Sequence, residues 1–195
     1  NTGDLARQDA DGYFWVTGRK KELLIRSGHN IDPKSIEEPL HQHTDVAQAA
    51  AVGRPDAYAG EVPVAYVQRR PGSQVSAEEL EGFAQDNIGD RAAWPKEIIL
   101  VDELPTTTVG KIFKPALKMK EIERLVRRTA ASAELEFSHL DVIQDPSRGF
   151  VVRIGSENFE ELKSLLDRFT FEIEHLGLEA RNASKSFGNS VSLSS

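Results

Sequence analysis

Apolar and polar positions alternate at period two in several short runs and recur at helical spacing in others. The first such pair is Leu5 to Arg7 and Tyr13 to Thr17. It predicts a β-hairpin whose turn is Asp9-Ala10-Asp11-Gly12, with Gly12 able to take a positive φ. Gly18-Arg19-Lys20-Lys21 then interrupts, Leu23-Leu24-Ile25 reads as a short strand, and Ser27-Gly28-His29-Asn30 reads as a turn. A helix is predicted from Pro33, with Asp32 as N-cap and proline at the favoured first position. Ile36 and Leu40 share one face of it. Pro39 lies inside and predicts a kink or an early end, because a helix-interior proline costs roughly 3 kcal/mol.

Val46 to Val52 and Val62 to Val67 read as buried strands, with Gly53-Arg54-Pro55-Asp56 starting the loop between them. Ser76-Ala77-Glu78-Glu79 is a capping box, and Leu80, Phe83, Ala84 and Ile88 continue the helical period. Ile98 to Val101 is a further strand. The expected order is therefore hairpin, strand, helix, strand, strand, helix, strand: an α+β domain in which helices flank a small sheet.

Beyond Lys114 the texture changes. Met119, Ile122, Leu125 and Val126 mark a helix. Leu135 to Ile143 and Gly149 to Ile154 predict a hairpin around Asp145-Pro146-Ser147-Arg148. Phe159, Leu162, Leu165, Leu166, Phe169, Ile173 and Leu176 form one long stripe that predicts a single amphipathic helix. The expectation is an α-β-β-α extension over residues 119–195, ending in a loose Ser-rich tail from Ala183.

Composition narrows the function. The chain has 195 residues, 39% hydrophobic and 28% charged, which suits one medium or two small globular units. Its formal net charge of −7 argues against a general nucleic-acid binder. The absence of cysteine removes thiolate nucleophiles, disulfides and Cys-type metal sites, and fits a cytoplasmic setting. No apolar run approaches the roughly 20 residues of a membrane-spanning helix. The chain starts at Asn1, not at Met, and its first residues read like the middle of a domain, so a longer natural chain is expected.

Most named motifs are absent. Gly110-Lys111 is not a P-loop, because Pro105 stands at the first glycine position and Ile112 where Ser or Thr is needed. His41 and His43, at i,i+2, point apart on a helix and read as ordinary exposed histidines, so no metal site is expected. The basic run Lys118 to Arg128 reads as a solvated helix face, and the Asn182-Ala183-Ser184 sequon as chance.

Three segments stand out together. They are Thr2-Gly3-Asp4; Gly18-Arg19-Lys20-Lys21-Glu22 followed by Gly28-His29-Asn30-Ile31; and Pro105-Thr106-Thr107-Thr108-Val109-Gly110-Lys111. With Asp11-Gly12-Tyr13, Ala51-Val52-Gly53-Arg54-Pro55-Asp56, Gly60-Glu61 and Asp102-Glu103-Leu104-Pro105, their order resembles the C-terminal end of the adenylate-forming superfamily, above all its acyl-CoA synthetases. The resemblance covers residues 1 to about 118. It departs from the family at Glu22, where Asp is common, and at Pro39, where a helix former is usual.

The resemblance implies a division into residues 1–20, closing the N-terminal adenylation domain; residues 21–118, a mobile C-terminal domain; and the extension from residue 119. It implies an enzyme that activates a carboxylic acid with ATP as an acyl-adenylate and then passes it to coenzyme A, releasing AMP. ATP and its Mg2+ would be held mainly by the N-terminal domain, so the fragment alone is expected to be inactive. Asp4 matches the carboxylate that accepts from the ribose hydroxyls, and Arg19 a second nucleotide contact. Lys21 matches the hinge, where backbone torsions change between the two half-reactions. Lys111 matches the lysine that meets the carboxylate and the α-phosphate, where a fixed ammonium stabilises gathering negative charge. Ser27, Gly28 and His29 match the passage for the pantetheine arm of CoA.

A fatty acid is the expected substrate. CoA is favoured over a carrier protein by the Gly28-His29-Asn30-Ile31-Asp32-Pro33 stretch and by the absence of a following carrier domain. A nonribosomal-peptide-type adenylation domain is the alternative within the class. A non-catalytic dimerisation or docking module, built on Phe159, Leu166 and Ile173, is the alternative outside it; a homodimer is compatible with either.

Overall fold

The computed structural model describes residues 4–176. Thr2, Gly3, the sequon and the Ser-rich tail lie outside the described residues. The chain divides into two compact units between Lys118 and Met119.

The first unit opens on an antiparallel pair, β1 (Asp4–Gln8) and β2 (Phe14–Arg19). The Asp9 carboxylate builds the expected turn. It accepts the N–H groups of Asp11 and Tyr13 and, at 2.7 Å, the indole N–H of Trp15. Gly12 takes a φ of 89°, which is why glycine stands there. A 3₁₀ turn, Lys20–Glu22, leads into the main sheet.

That sheet contains β3 (Leu24–Arg26), β4 (His29–Ile31), β5 (Val46–Asp56), β6 (Gly60–Arg69) and β7 (Ile98–Val101). The order runs β4-β3-β6-β5, and β7 joins β6 in parallel. Alternate residues of β5 serve two different cores. Ala49 and Ala51 pack with Ile36 and Leu40 of α1 (Lys34–His41) and with Leu80 and Ala84 of α2 (Ala77–Asn87). Ala50 and Val52 pack with Val64, Tyr66, Leu104 and Leu117. Burial on both faces explains the near-continuous apolar run of this strand.

Several expectations shift. β5 does not end at Val52: Gly53-Arg54-Pro55-Asp56 stays paired with β6, and only Ala57 to Ala59 turn the chain. Proline is tolerated there because β5 is an edge strand, and the Asp56 carboxylate closes the turn by accepting from Tyr58 and Ala59. His29 and Asn30 are strand, not turn, because Ser27 and Gly28 alone reverse the chain at φ values of 49° and 82°. α1 starts one residue later than expected, although the Asp32 carboxylate still accepts the Lys34 N–H, and it ends two residues after Pro39. The capping box at Ser76 forms in both directions. His43 is half-buried, edge-on to Phe83, and not fully exposed.

The second unit contains most of α3 (Lys114–Ser132), β8 (His139–Asp145), β9 (Gly149–Gly155), α4 (Phe159–Leu166) and β10 (Glu172–His175). Leu135 precedes β8 and does not belong to it. The long stripe breaks, so among the described residues the extension runs α-β-β-α-β and not α-β-β-α. Leu162 and Leu166 do lie on a buried helical face, with Ile122, Val126, Val152 and Ile154. From Phe169 to Glu174 apolar and polar residues alternate at period two, and β10 pairs in parallel with β9. The sheet order is β10-β9-β8. Helix and strand periods coincide at Ile173, which hid the change from a spacing argument.

Candidate functional site

Lys111 projects from a loop pinned across its neck. Thr106 bridges Ile112, and the Phe113 N–H donates to the Pro105 carbonyl at 2.7 Å. Inside the neck, the Thr107 N–H reaches the Lys111 carbonyl at 2.7 Å, and the Lys111 N–H reaches Thr107 Oγ1 at 3.2 Å. Gly110 takes a φ of 77° and donates to the Thr107 carbonyl. Buried Leu104 and Leu117 anchor the two flanks in one core cluster. The backbone is thereby fixed while the lysine itself is exposed. A held loop with an exposed ammonium can meet an anion without reorganising.

The hinge candidate Lys21 is exposed in the 3₁₀ turn. Its neighbour Glu22 pairs with Lys114 Nζ at 3.3 Å, and the same ammonium pairs with Glu37 at 2.8 Å. Glu37 also accepts the Ala51 N–H at 2.7 Å. One helical turn on, Lys118 pairs with Glu61 at 2.6 Å, and Glu61 accepts the Ile25 N–H at 3.1 Å. Gly53 makes room for that carboxylate: a Cβ there would stand 2.6 Å from Glu61 Cδ.

Asp4 and Arg19 are register partners in the β1–β2 pair. Ser27 and Gly28 form the β3–β4 turn, and the Ser27 N–H donates to the Ala59 carbonyl at 2.7 Å. Nothing lies within 4 Å of where a Gly28 side chain would begin. Ser27 and His29 line a cavity of about 560 Å³ together with Arg26, Arg91, Trp94 and Lys96. Arg26 donates to the Ala92 carbonyl at 2.6 Å, Arg91 lies over the Trp94 ring at 5.1 Å, and the Trp94 indole donates to the Ile88 carbonyl. Glu81 also lines the cavity, so its three cations outnumber one carboxylate, and with the aromatic ring they suit an anionic ligand with a planar group.

The structure thus joins Ser27 to His29 and Asp4 to Arg19, and sets Lys111 on a separate loop. Sequence reasoning missed Arg26, Arg91, Trp94 and Lys96, which no motif contains and which only the fold brings together. It also missed Lys114, whose position directly after the Lys111 loop was the available signal. Among the described residues, no group of three or more His, Asp or Glu side chains could hold a metal ion, and no helix is long and apolar enough to cross a membrane.

Residues 35–111 match the family described as the AMP-binding enzyme C-terminal domain. The chain is 49% identical over 179 residues to a marinolic acid–CoA ligase of Pseudoalteromonas sp. (strain SANK 73390), covering 90% of this chain and 27% of that protein. That likeness runs well into the second unit. It is 37% identical over 122 residues to a long-chain-fatty-acid–CoA ligase of Bacillus subtilis (strain 168), covering 63% of this chain and 22% of that one. Among solved structures, ATP-bound MatB from Rhodopseudomonas palustris superposes with a TM-score of 0.56 at 34% identity, over 61% of this chain and 24% of the other. The chain therefore spans about a quarter of the length of these relatives.

Proposed function

The chain carries the C-terminal domain of the adenylate-forming superfamily, and on that premise we propose that it is the mobile part of an ATP-dependent acid–CoA ligase. The observation that carries the reading is the pinned loop presenting Lys111. In the adenylating half-reaction, Lys111 offsets the repulsion between the substrate carboxylate and the α-phosphate. Asp4 accepts from the ribose hydroxyls, and Arg19 supports the nucleotide. The carboxylate attacks the α-phosphorus, the bond to pyrophosphate breaks, and the acyl-adenylate remains.

The domain then turns about Lys21, which brings the Ser27–Gly28 turn to the reaction centre. The open face over Gly28 suits a slender pantetheine arm, and the cavity cations Arg26, Arg91 and Lys96 suit the phosphates of CoA. The thiol sulfur attacks the acyl carbonyl, and AMP leaves. A large N-terminal domain of the same chain supplies the acyl pocket and holds ATP with its Mg2+. The exposed aromatic run Tyr13, Phe14 and Trp15 suits contact with such a domain. We assign a fatty acid as substrate and the cytoplasm as location.

The test compares the full-length enzyme with its Lys111→Ala variant. Pyrophosphate release is followed with ATP and a panel of carboxylic acids, and thioester formation with CoA from supplied acyl-adenylate. Loss of the first step with retention of the second supports the reading. No pyrophosphate release by the wild type with any acid overturns it.

A further inference from the structure

The ion pairs on the first turn of α3 join the segment after the hinge to the body of the domain, and the proposed ligase cycle makes no use of them. Lys114 and Lys118 are one helical turn apart, so both ammonium groups leave the same side of α3. Each holds a glutamate that also accepts a backbone N–H from the main sheet: Glu37 from Ala51, and Glu61 from Ile25. The two rungs differ in what else they reach. Lys114 takes a second carboxylate, Glu22, from the 3₁₀ turn that holds Lys21. The second rung holds the Ile25 N–H, three residues further along. Residues 22 and 25 are thus both tied to α3, and Lys21 is not.

We propose that Lys114 is a positioning residue that sets where the hinge stops. By tying Glu22 to Glu37, it makes residue 22 part of the rigid domain and confines the torsional change to Lys20 and Lys21. Helix α1, which carries Glu37, is fixed by fully buried Ile36 and Leu40. The side-chain exposures run in the order this requires: Glu37 at 13%, Lys114 at 20% and Glu22 at 40%. The pair with Glu37 is the sheltered anchor, and the pair with Glu22 is the end that solvent can loosen. Lys114 also begins the helix that follows the Lys111 loop, so the clamp references the hinge and that loop to the same helix turn.

The inference rests on the ligase reading for the hinge role of Lys21, whereas the clamp itself is a structural claim. The test therefore has two arms, both on the full-length enzyme. Glu22→Gln removes the hinge end alone, Lys114→Gln removes both ends, and Lys114→Arg keeps the cation. In the first arm, amide hydrogen exchange is read at Leu24 and Ile25. An interaction of about 1 kcal/mol predicts roughly fivefold faster exchange in both Gln variants. Exchange near the wild-type rate is expected in Lys114→Arg, and an unchanged melting temperature in Glu22→Gln.

In the second arm, the maximal rates of both half-reactions fall by a similar factor in Glu22→Gln, while KM for the acid stays constant. A general loss of structure would instead lower the melting temperature and move KM. Wild-type exchange at Leu24 and Ile25 in Glu22→Gln overturns the clamp. Faster exchange with unchanged half-reaction rates overturns its role in the hinge. If the wild type forms no acyl-adenylate, the ligase reading and the hinge role fall together, and exchange alone still decides whether Lys114 holds Glu22.

Discussion

Asp4 and Arg19 are paired across the β1–β2 ladder, at the end farthest from the Asp9 turn. A bulge between Leu5 and Ala6 sets this register. Two residues matched separately to nucleotide contacts are thus opposite each other in backbone register, immediately before the 3₁₀ turn that holds Lys21. The expected consequence is that Asp4→Asn and Arg19→Gln each raise KM for ATP, by about tenfold for a charge-assisted bond of roughly 1.5 kcal/mol. Combining them should give less than the product of the two effects. Pyrophosphate-release kinetics on the two single variants and the double variant check this.

Lys111→Ala should slow acyl-adenylate formation by roughly 10²–10³-fold, the usual loss for one preorganised donor at a developing charge. Thioester formation from supplied acyl-adenylate should stay within about threefold of wild type, well short of a 1.4 kcal/mol change in barrier. The fold should be unaffected, because the loop is held by the backbone and by Thr107, not by the Lys111 ammonium. Circular dichroism melting provides that control.

Gly28 tests turn chemistry against ligand passage. Its φ of 82° penalises any side chain, yet nothing lies within 4 Å of the place a methyl group would take. Gly28→Ala should cost about 1–2 kcal/mol of stability from backbone strain alone. If the pantetheine arm runs over this turn, the variant should also raise KM for CoA and leave adenylation unchanged. Denaturant unfolding and the two half-reactions separate the effects.

Gly53→Ala should destabilise the first unit by about 1–3 kcal/mol. The added methyl group would meet the Glu61 carboxyl group at 2.6–2.8 Å and push it from the Ile25 N–H and from Lys118. Against a Glu61→Ala background, the same substitution should cost much less, because the displaced group is gone. A double-mutant cycle in urea reads that coupling.

The Asp145 carboxyl should titrate far below its ordinary value of 3.8, at about 2. The Ser147 hydroxyl contributes most, followed by the N–H groups of Arg148 and Ser147. Because the folded value is the lower one, the associated stability is fully present above pH 3.8 and is lost as pH falls through about 2. Ser147→Ala should move the midpoint upward. Carboxyl chemical shifts followed against pH measure both.

Local signals decided most of the elements. The Ser76 capping box, the Asp9–Gly12 turn, the early end of α1 at Pro39 and the buried pair Ile36 and Leu40 depend on neighbours within one turn, and a sequence shows neighbours. The failures have a common physical cause. Residues 53–56 carry turn-forming types, but the length of β6 opposite gives their backbone groups partners, and an edge position tolerates Pro55. Phe169 to Leu176 fits a helical stripe, but β9 offers a parallel ladder, and Ile173 satisfies both periods. In each case pairing with another strand overrode the preference of the residue types themselves.

The family was legible before any fold was known. The resemblance of three motifs to the adenylate-forming superfamily nominated Asp4, Arg19, Lys21, Gly28 and Lys111 as candidates. Which charges work together needed the folded chain. Arg26, Arg91 and Lys96 surround one cavity although Arg26 lies far from the other two in sequence, and Lys114 joins Glu22 to Glu37 across three elements. Coulombic and hydrogen-bonding interactions act over a few ångströms of space, whatever the distance along the chain, so their partners appear only once the chain is folded.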